Sequence, residues 1–304
     1  MNNSWNRRQF IAAGAALGAF PGVSIADETQ GMLAKPIPAS GEALPVIGLG
    51  TYNVFDVAST DEAITTRRDI VDRLTAAGGS LLDTSPMYKR SERVIGDVIA
   101  AGAKRDQLFL ATKVWTDGLA EGIKQMNRSA ALMQTDVVDL MQVHNLRDTA
   151  VHMGTIREWQ KESRIRYSGL THYTAGAHEA LAKEMQTFRP DFIQINYSLG
   201  EREAERRVLP VARDLGIAVL INRPFQAGRL FRAVAGHELP GFAREFADSW
   251  GQFFLKFIVS HPAVTCVIPA TSKPHHMTDN LGAGFGTMPD ASMRQRMADY
   301  FENL

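Results

Sequence analysis

From Leu44 onward, short apolar runs alternate eight times with stretches of helical periodicity, and this alternation constrains the fold more than any other feature. The strand-like runs fall at 45–52, 81–83, 108–113, 137–144, 165–170, 192–197, 217–221 and 264–268. Helical patterns follow at 61–77, from Ser91, at 119–134, 149–161, 176–186, 203–215 and 246–260, with a last piece at 290–304. Eight such units predict an α/β fold, a single-domain (β/α)8 TIM barrel over 44–304, and a chain of 304 residues suits one barrel of roughly 250. A doubly wound sheet would leave open edges and usually begins with a glycine-rich phosphate loop; Gly48-Leu49-Gly50 lacks the third glycine.

In such a barrel the strand ends and the loops after them form the catalytic face. The second strand ends at Asp83, and the loop Thr84-Ser85-Pro86-Met87-Tyr88-Lys89-Arg90 leads to the helix opened by Ser91-Glu92. The third strand closes on Lys113 and the fourth on His144. In that order and at those positions, Asp83, Tyr88, Lys113 and His144 resemble the catalytic tetrad of the aldo-keto reductases, and the resemblance runs from about Leu44 to Asn280.

The resemblance implies an NAD(P)H-dependent oxidoreductase that reduces a small carbonyl substrate by hydride transfer, with NADP as cofactor and NAD as the alternative. Reduction needs a proton donor beside the developing alkoxide, and a phenol of pKa about 10 serves better when an ammonium stabilises its phenolate. Tyr88 is then the general acid, Lys113 the cation, Asp83 the anchor of the lysine, and His144 the group that positions the substrate oxygen or shares the proton. Carried over residue by residue, Gln194 matches the glutamine that holds the nicotinamide carboxamide, and Tyr52 a first-loop position near cofactor and substrate. Ser272 and Lys273, with Asn280 after them, match the adenosine-phosphate site, where a helix start adds backbone donors.

Three departures from the family pattern stand out. Thr171-His172 replaces the usual Ser-Asn, Asn222 stands where a tyrosine often stacks on the nicotinamide, with Arg223 beside it as a candidate pyrophosphate contact, and Lys89 replaces the glycine after the tyrosine. Lys89 adds a charge that would attract an anionic substrate. The short C-terminal tail implies an open pocket, with Phe55, Trp115 and Phe225 as its walls.

The remaining features concern location and competing functions. Arg7-Arg8, a short Ala/Gly-rich apolar stretch and Ser24-Ile25-Ala26 look like a twin-arginine signal peptide over 1–26, which implies the twin-arginine export machinery as a partner and a periplasmic destination. About ten apolar residues cannot span a bilayer core that needs about 20, so no stable membrane span is expected. Residues 27–43, with Pro36, Pro38 and Gly41, read as an extended linker. With 33 acidic and 33 basic residues the chain offers no charge excess for nucleic acid, and its one cysteine, Cys266, reads as a buried, inert thiol. Two alternatives compete with the reductase. One is a non-catalytic cofactor- or partner-binding barrel module. The other, a barrel metallohydrolase using Asp83, His144 and His172, suffers from the cation of Lys113 among its ligands, and no metal site is expected.

Overall fold

A computed structural model describes residues 31–304. The expected leader, 1–26, lies outside the described residues. Two strands, β1 (Ala34–Pro36) and β2 (Ala43–Pro45), form an antiparallel hairpin. The barrel strands follow as β3 (Leu49–Gly50), β4 (Leu81–Asp83), β5 (Phe109–Val114), β6 (Val138–His144), β7 (Ile165–Thr171), β8 (Phe192–Asn196), β9 (Ala218–Asn222) and β10 (Cys266–Val267). All eight pair in parallel in chain order. The ring closes where Val267 N–H donates to Val46 O at 2.9 Å and Gly48 N–H to Val267 O at 2.8 Å. At this seam a Cβ on Gly50 would sit 2.8 Å from Ile268 O, so the Gly48-Leu49-Gly50 pair serves close backbone approach. The strands beside the seam are short, which trims β10 to two residues of the expected 264–268 run.

The helices are α1 (Asp61–Ala76), α2 (Ser91–Ala100), α3 (Leu119–Leu132), α4 (Thr149–Lys161), α5 (His178–Phe188), α6 (Val208–Leu215), α7 (Arg229–Ala233), α8 (Trp250–Val259), α9 (Pro274–Gly282) and α10 (Ala291–Glu302). Local chemistry sets their ends: Thr60 caps α1 by accepting from Ala63 N–H at 3.3 Å, Asp61 and Glu62 stand in its first turn, and Gly78 just beyond adopts φ +85°. Helix α8 is buried on every face, as its run of Phe253, Phe254, Leu255, Phe257 and Ile258 dictates. The long connection between β9 and α8, 223–249, holds α7 and two short 3-10 turns. No helix among the described residues is long and apolar enough to cross a membrane.

Residues 34–45 correct the linker reading of 27–43. Pro36, Pro38 and Gly41 form a tight turn, with Gly41 at φ +78° and Gly41 N–H donating to Ile37 O at 2.8 Å. Ile37 and Leu44 reach into the barrel interior, where they join Leu81, Phe109, Leu140, Tyr167, Phe192 and Leu220 in one apolar cluster. Lys35 locks the hairpin down by donating to Val259 O, His261 O and Val264 O at 2.6–2.9 Å, which satisfies carbonyls at the end of α8. The hairpin thus forms the floor of the barrel and leaves the opposite, C-terminal mouth as the open face. Because Ile37 is 0% exposed, Ile37→Ala is expected to cost about 2–4 kcal/mol in equilibrium urea unfolding; an unchanged midpoint would show that the floor is not part of the core.

Candidate active site

Strand parity places the candidate catalytic groups on the inner face: Leu81 and Asp83 of β4, Phe109, Ala111 and Lys113 of β5, Leu140, Gln142 and His144 of β6, and Phe192 and Gln194 of β8 alternate inward. The apolar members fill the barrel below and the polar ones meet at its mouth. Lys113 is fully buried and donates to Asp83 Oδ2 at 2.7 Å and to Thr84 O at 2.7 Å. The other oxygen, Asp83 Oδ1, accepts from Gln194 Nε2 at 2.7 Å and from Gln142 Nε2 at 3.2 Å. Lys113 Nζ lies 5.0 Å from the centre of the Tyr88 ring, which meets the His144 ring edge-on at 6.1 Å. Tyr52, 56% exposed, packs edge-on against Tyr88 at 5.0 Å.

Burial and neighbouring charge set the protonation states. Burial pushes the Tyr88 phenol above its ordinary value, and the Lys113 ammonium offsets only part of that. The net shift is upward, opposite to a lysine acting alone. Burial also pulls on Lys113, but the Asp83 carboxylate and the Tyr88 phenol outweigh it and hold the amine charged. His144 drops to about 3, through burial first and then the Lys113 and His172 charges, so its ring is neutral.

The groups expected around a cofactor divide into two sets. Gln194 Oε1 faces the Thr171 hydroxyl and Asn222 Nδ2, each at 3.4 Å, and Asn222 Nδ2 also donates to His172 O at 3.2 Å, so these four residues adjoin the tetrad. The His172 ring turns into its own loop, where Nδ1 accepts from Tyr173 N–H at 3.0 Å. Arg223 is exposed and lies over the Tyr173 ring at 5.7 Å. Ser272 and Lys273 are exposed just before α9, with Lys273 as its N-cap, while Asn280 is buried late in that helix. Lys89 pairs with Asp56 at 3.1 Å, as Arg90 does at 2.8 Å, so its charge is countered at the mouth. Phe55, expected as a pocket wall, lies wholly in the core, and Phe225 packs on Phe231 and Phe254. Trp115 does stand at the site, 6.4 Å from the His144 ring and under the Arg147 guanidinium at 5.1 Å.

Sequence reasoning missed Gln142 and Ser85. Gln142 was visible through parity, two residues before His144 on the same strand face. Its room comes from Gly169 across the β6–β7 pair, where a Cβ would meet Gln142 Cγ at 2.7 Å. Ser85 Oγ lies 3.1 Å from His144 Nδ1, a contact across 59 residues that no local pattern announces.

Against known proteins, the description "Aldo/keto reductase family" matches residues 46–297. The chain is 34% identical to aldo-keto reductase YhdN of Bacillus subtilis, over 58% of this chain and 56% of that protein, so the match spans little more than half of that relative. It is 25% identical to glyoxal reductase of the same organism, over 79% of this chain and 83% of that one. An aldo/keto reductase from Klebsiella pneumoniae, solved in complex with NADP and acetate, superposes with a TM-score of 0.72 at 24% identity, covering 86% of this chain and 93% of the other. With more than four-fifths of its length inside that one match, and the barrel that goes with it, this chain belongs to the aldo/keto reductase family.

Proposed function

We propose that this chain reduces aldehydes or ketones to alcohols with NADP(H), using Tyr88 as the general acid, and that it does so after export to the periplasm. The observation that carries the catalytic reading is the Tyr88 ring held 5.0 Å from the fully buried Lys113 Nζ and edge-on to the His144 imidazole at the barrel mouth. The residues present also fit a dinucleotide. Asn196 Nδ2, Asn222 Oδ1 and Gln226 Oε1 are buried without a hydrogen-bond partner at and just beyond the ends of β8 and β9, which leaves polar atoms for a ligand to satisfy. Gln194 spends its amide N–H groups on Asp83 and Gln142, and its Oε1, met only at 3.4 Å by the Thr171 hydroxyl and Asn222 Nδ2, is the atom that would accept from a carboxamide N–H. Arg223 and Lys273 have no carboxylate partner among the described residues, and Lys273 at the start of α9 suits a 2′-phosphate.

The bound nicotinamide supplies the hydride. This chain supplies the rest: His144 orients the carbonyl oxygen, Tyr88 gives its proton to the developing alkoxide, Lys113 stabilises the phenolate left behind, and Asp83 keeps Lys113 charged and in place. With Asn222 in place of an aromatic, this position would offer a bound nicotinamide a side-chain amide rather than a ring. Against the metallohydrolase alternative stand the contacts of both Asp83 oxygens with Lys113, Gln142 and Gln194. Export rests on Arg7-Arg8 and the apolar stretch after them.

Tyr88→Phe is expected to lower kcat/KM for 4-nitrobenzaldehyde reduction about 10²–10⁴-fold while NADPH still binds with near wild-type Kd; intact turnover would move the assignment to a binding module. Because Tyr88 is shifted above 10.0 and His144 down to about 3, both are in their working form across the neutral range. The kcat/KM profile should therefore stay flat from about pH 5 to about pH 9 and fall only at higher pH, and a limb near pH 6–7 would contradict this assignment. Lys273→Met should weaken NADPH about tenfold and leave NADH unchanged, measured by fluorescence titration. Replacing both Arg7 and Arg8 by Lys should retain the protein in the cytoplasmic fraction, and undiminished periplasmic protein would remove the export reading.

A further inference from the structure

A neutral imidazole orients a carbonyl only through the nitrogen that carries its proton, so the tautomer of His144 decides what it can do. We propose that Ser85 is the positioning residue for His144: its hydroxyl donates to Nδ1 and thereby keeps the ring proton on Nε2, the nitrogen left to meet the substrate oxygen. This inference rests on the carbonyl-reductase reading and adds a residue to it.

Hydrogen accounting supports the assignment. Ser85 is fully buried, and its Oγ has two neighbours within hydrogen-bond reach, His144 Nδ1 at 3.1 Å and Met87 N–H at 3.3 Å. The Met87 amide can only donate, so Oγ accepts there. If Nδ1 also carried a proton, Oγ would accept twice and its own hydrogen would have no acceptor among the described residues. Leaving a buried donor without an acceptor is costly enough to select the other tautomer. The doubly protonated ring is excluded by its burial and by the Lys113 ammonium. With Nδ1 as acceptor, the proton is on Nε2, which makes no hydrogen bond to the described protein.

Ser85 is placed to do this because it sits in the turn that carries the rest of the chemistry. Its carbonyl accepts from Tyr88 N–H at 2.9 Å, so one residue fixes the backbone of the acid and the ring of the histidine together. Asp83, two residues earlier, fixes Lys113. A single stretch of β4 and its loop therefore sets the state of both partners contributed by the neighbouring strands β5 and β6.

The test is nitrogen-15 NMR of histidine-labelled full-length protein, with the His144 signals assigned by their loss in His144→Asn, alongside kcat/KM for 4-nitrobenzaldehyde with NADPH. In the wild type, Nδ1 should show the shift of an unprotonated acceptor and Nε2 that of a protonated nitrogen. In Ser85→Ala the two tautomers should mix and kcat/KM fall about tenfold, and Ser85→Thr, which keeps the hydroxyl, should restore both. A proton on Nδ1 in the wild type overturns the proposal. So does a Ser85→Ala enzyme that loses activity with its tautomer unchanged, because that would make Ser85 merely structural. A wild type inert toward carbonyls would defeat the functional reading, while the tautomer measurement would still decide the role of Ser85.

Discussion

An ammonium with no access to water must find its acceptors inside the protein, and the Lys113 side chain sets that demand at the mouth of this barrel. Asp83 and the Thr84 carbonyl meet it from the adjacent strand, which fixes the geometry of β4 against β5. The carboxylate in turn needs donors for its second oxygen, and Gln142 and Gln194 bring them from β6 and β8. Gly169 on β7 gives up a side chain so that Gln142 can reach inward. Four strands and part of a fifth are thus bound into one network that begins from a single positive charge, and Tyr88 inherits its electrostatic setting from that network.

The same logic explains the rim. Lys89 and Arg90 converge on Asp56, and Arg147 pairs with Asp117 while lying over Trp115, so much of the charge around the substrate entrance is neutralised. The connection after His144 carries Asn145, Leu146 and Asp148 at positive φ, conformations that non-glycine residues adopt at a cost and that surrounding structure must enforce. Left-handed backbone thus gathers in the loop that follows the imidazole, as it does again at Arg223, Gln226 and Ala227 after β9.

Much of this was legible in the residues. The strand ends at Asp83 and His144, and Lys113 one residue before the end of β5, could be read because apolar runs give way to chemistry there, and the helices at 61–76 and 149–161 could be read from their periodicity. The floor hairpin could not, since its strands are three residues long and its Pro36, Pro38 and Gly41 signal a break as readily as a turn. Ser85 was hidden for a different reason. Its partner is 59 residues away, and only the ring closure of the barrel brings the two together. Phe55 misled because an aromatic in a first loop fits a pocket wall and a core anchor equally well until packing decides.

The floor hairpin also orders events in time. Lys35 holds carbonyls 224 to 229 residues away, and Ile37 and Leu44 pack against side chains contributed by seven of the eight barrel strands and by Ile268 just past the last. The Lys35 contacts cannot exist until the chain through Val264 is in place, and closing so long a loop must be compensated by contacts that form together. Residues 34–45 leave the ribosome among the first of the described chain, yet Lys35 cannot be fastened until residues 259–264 have followed. A barrel halted one strand short would present this hairpin as an unfastened apolar tab, so its docking reports that the whole ring has formed.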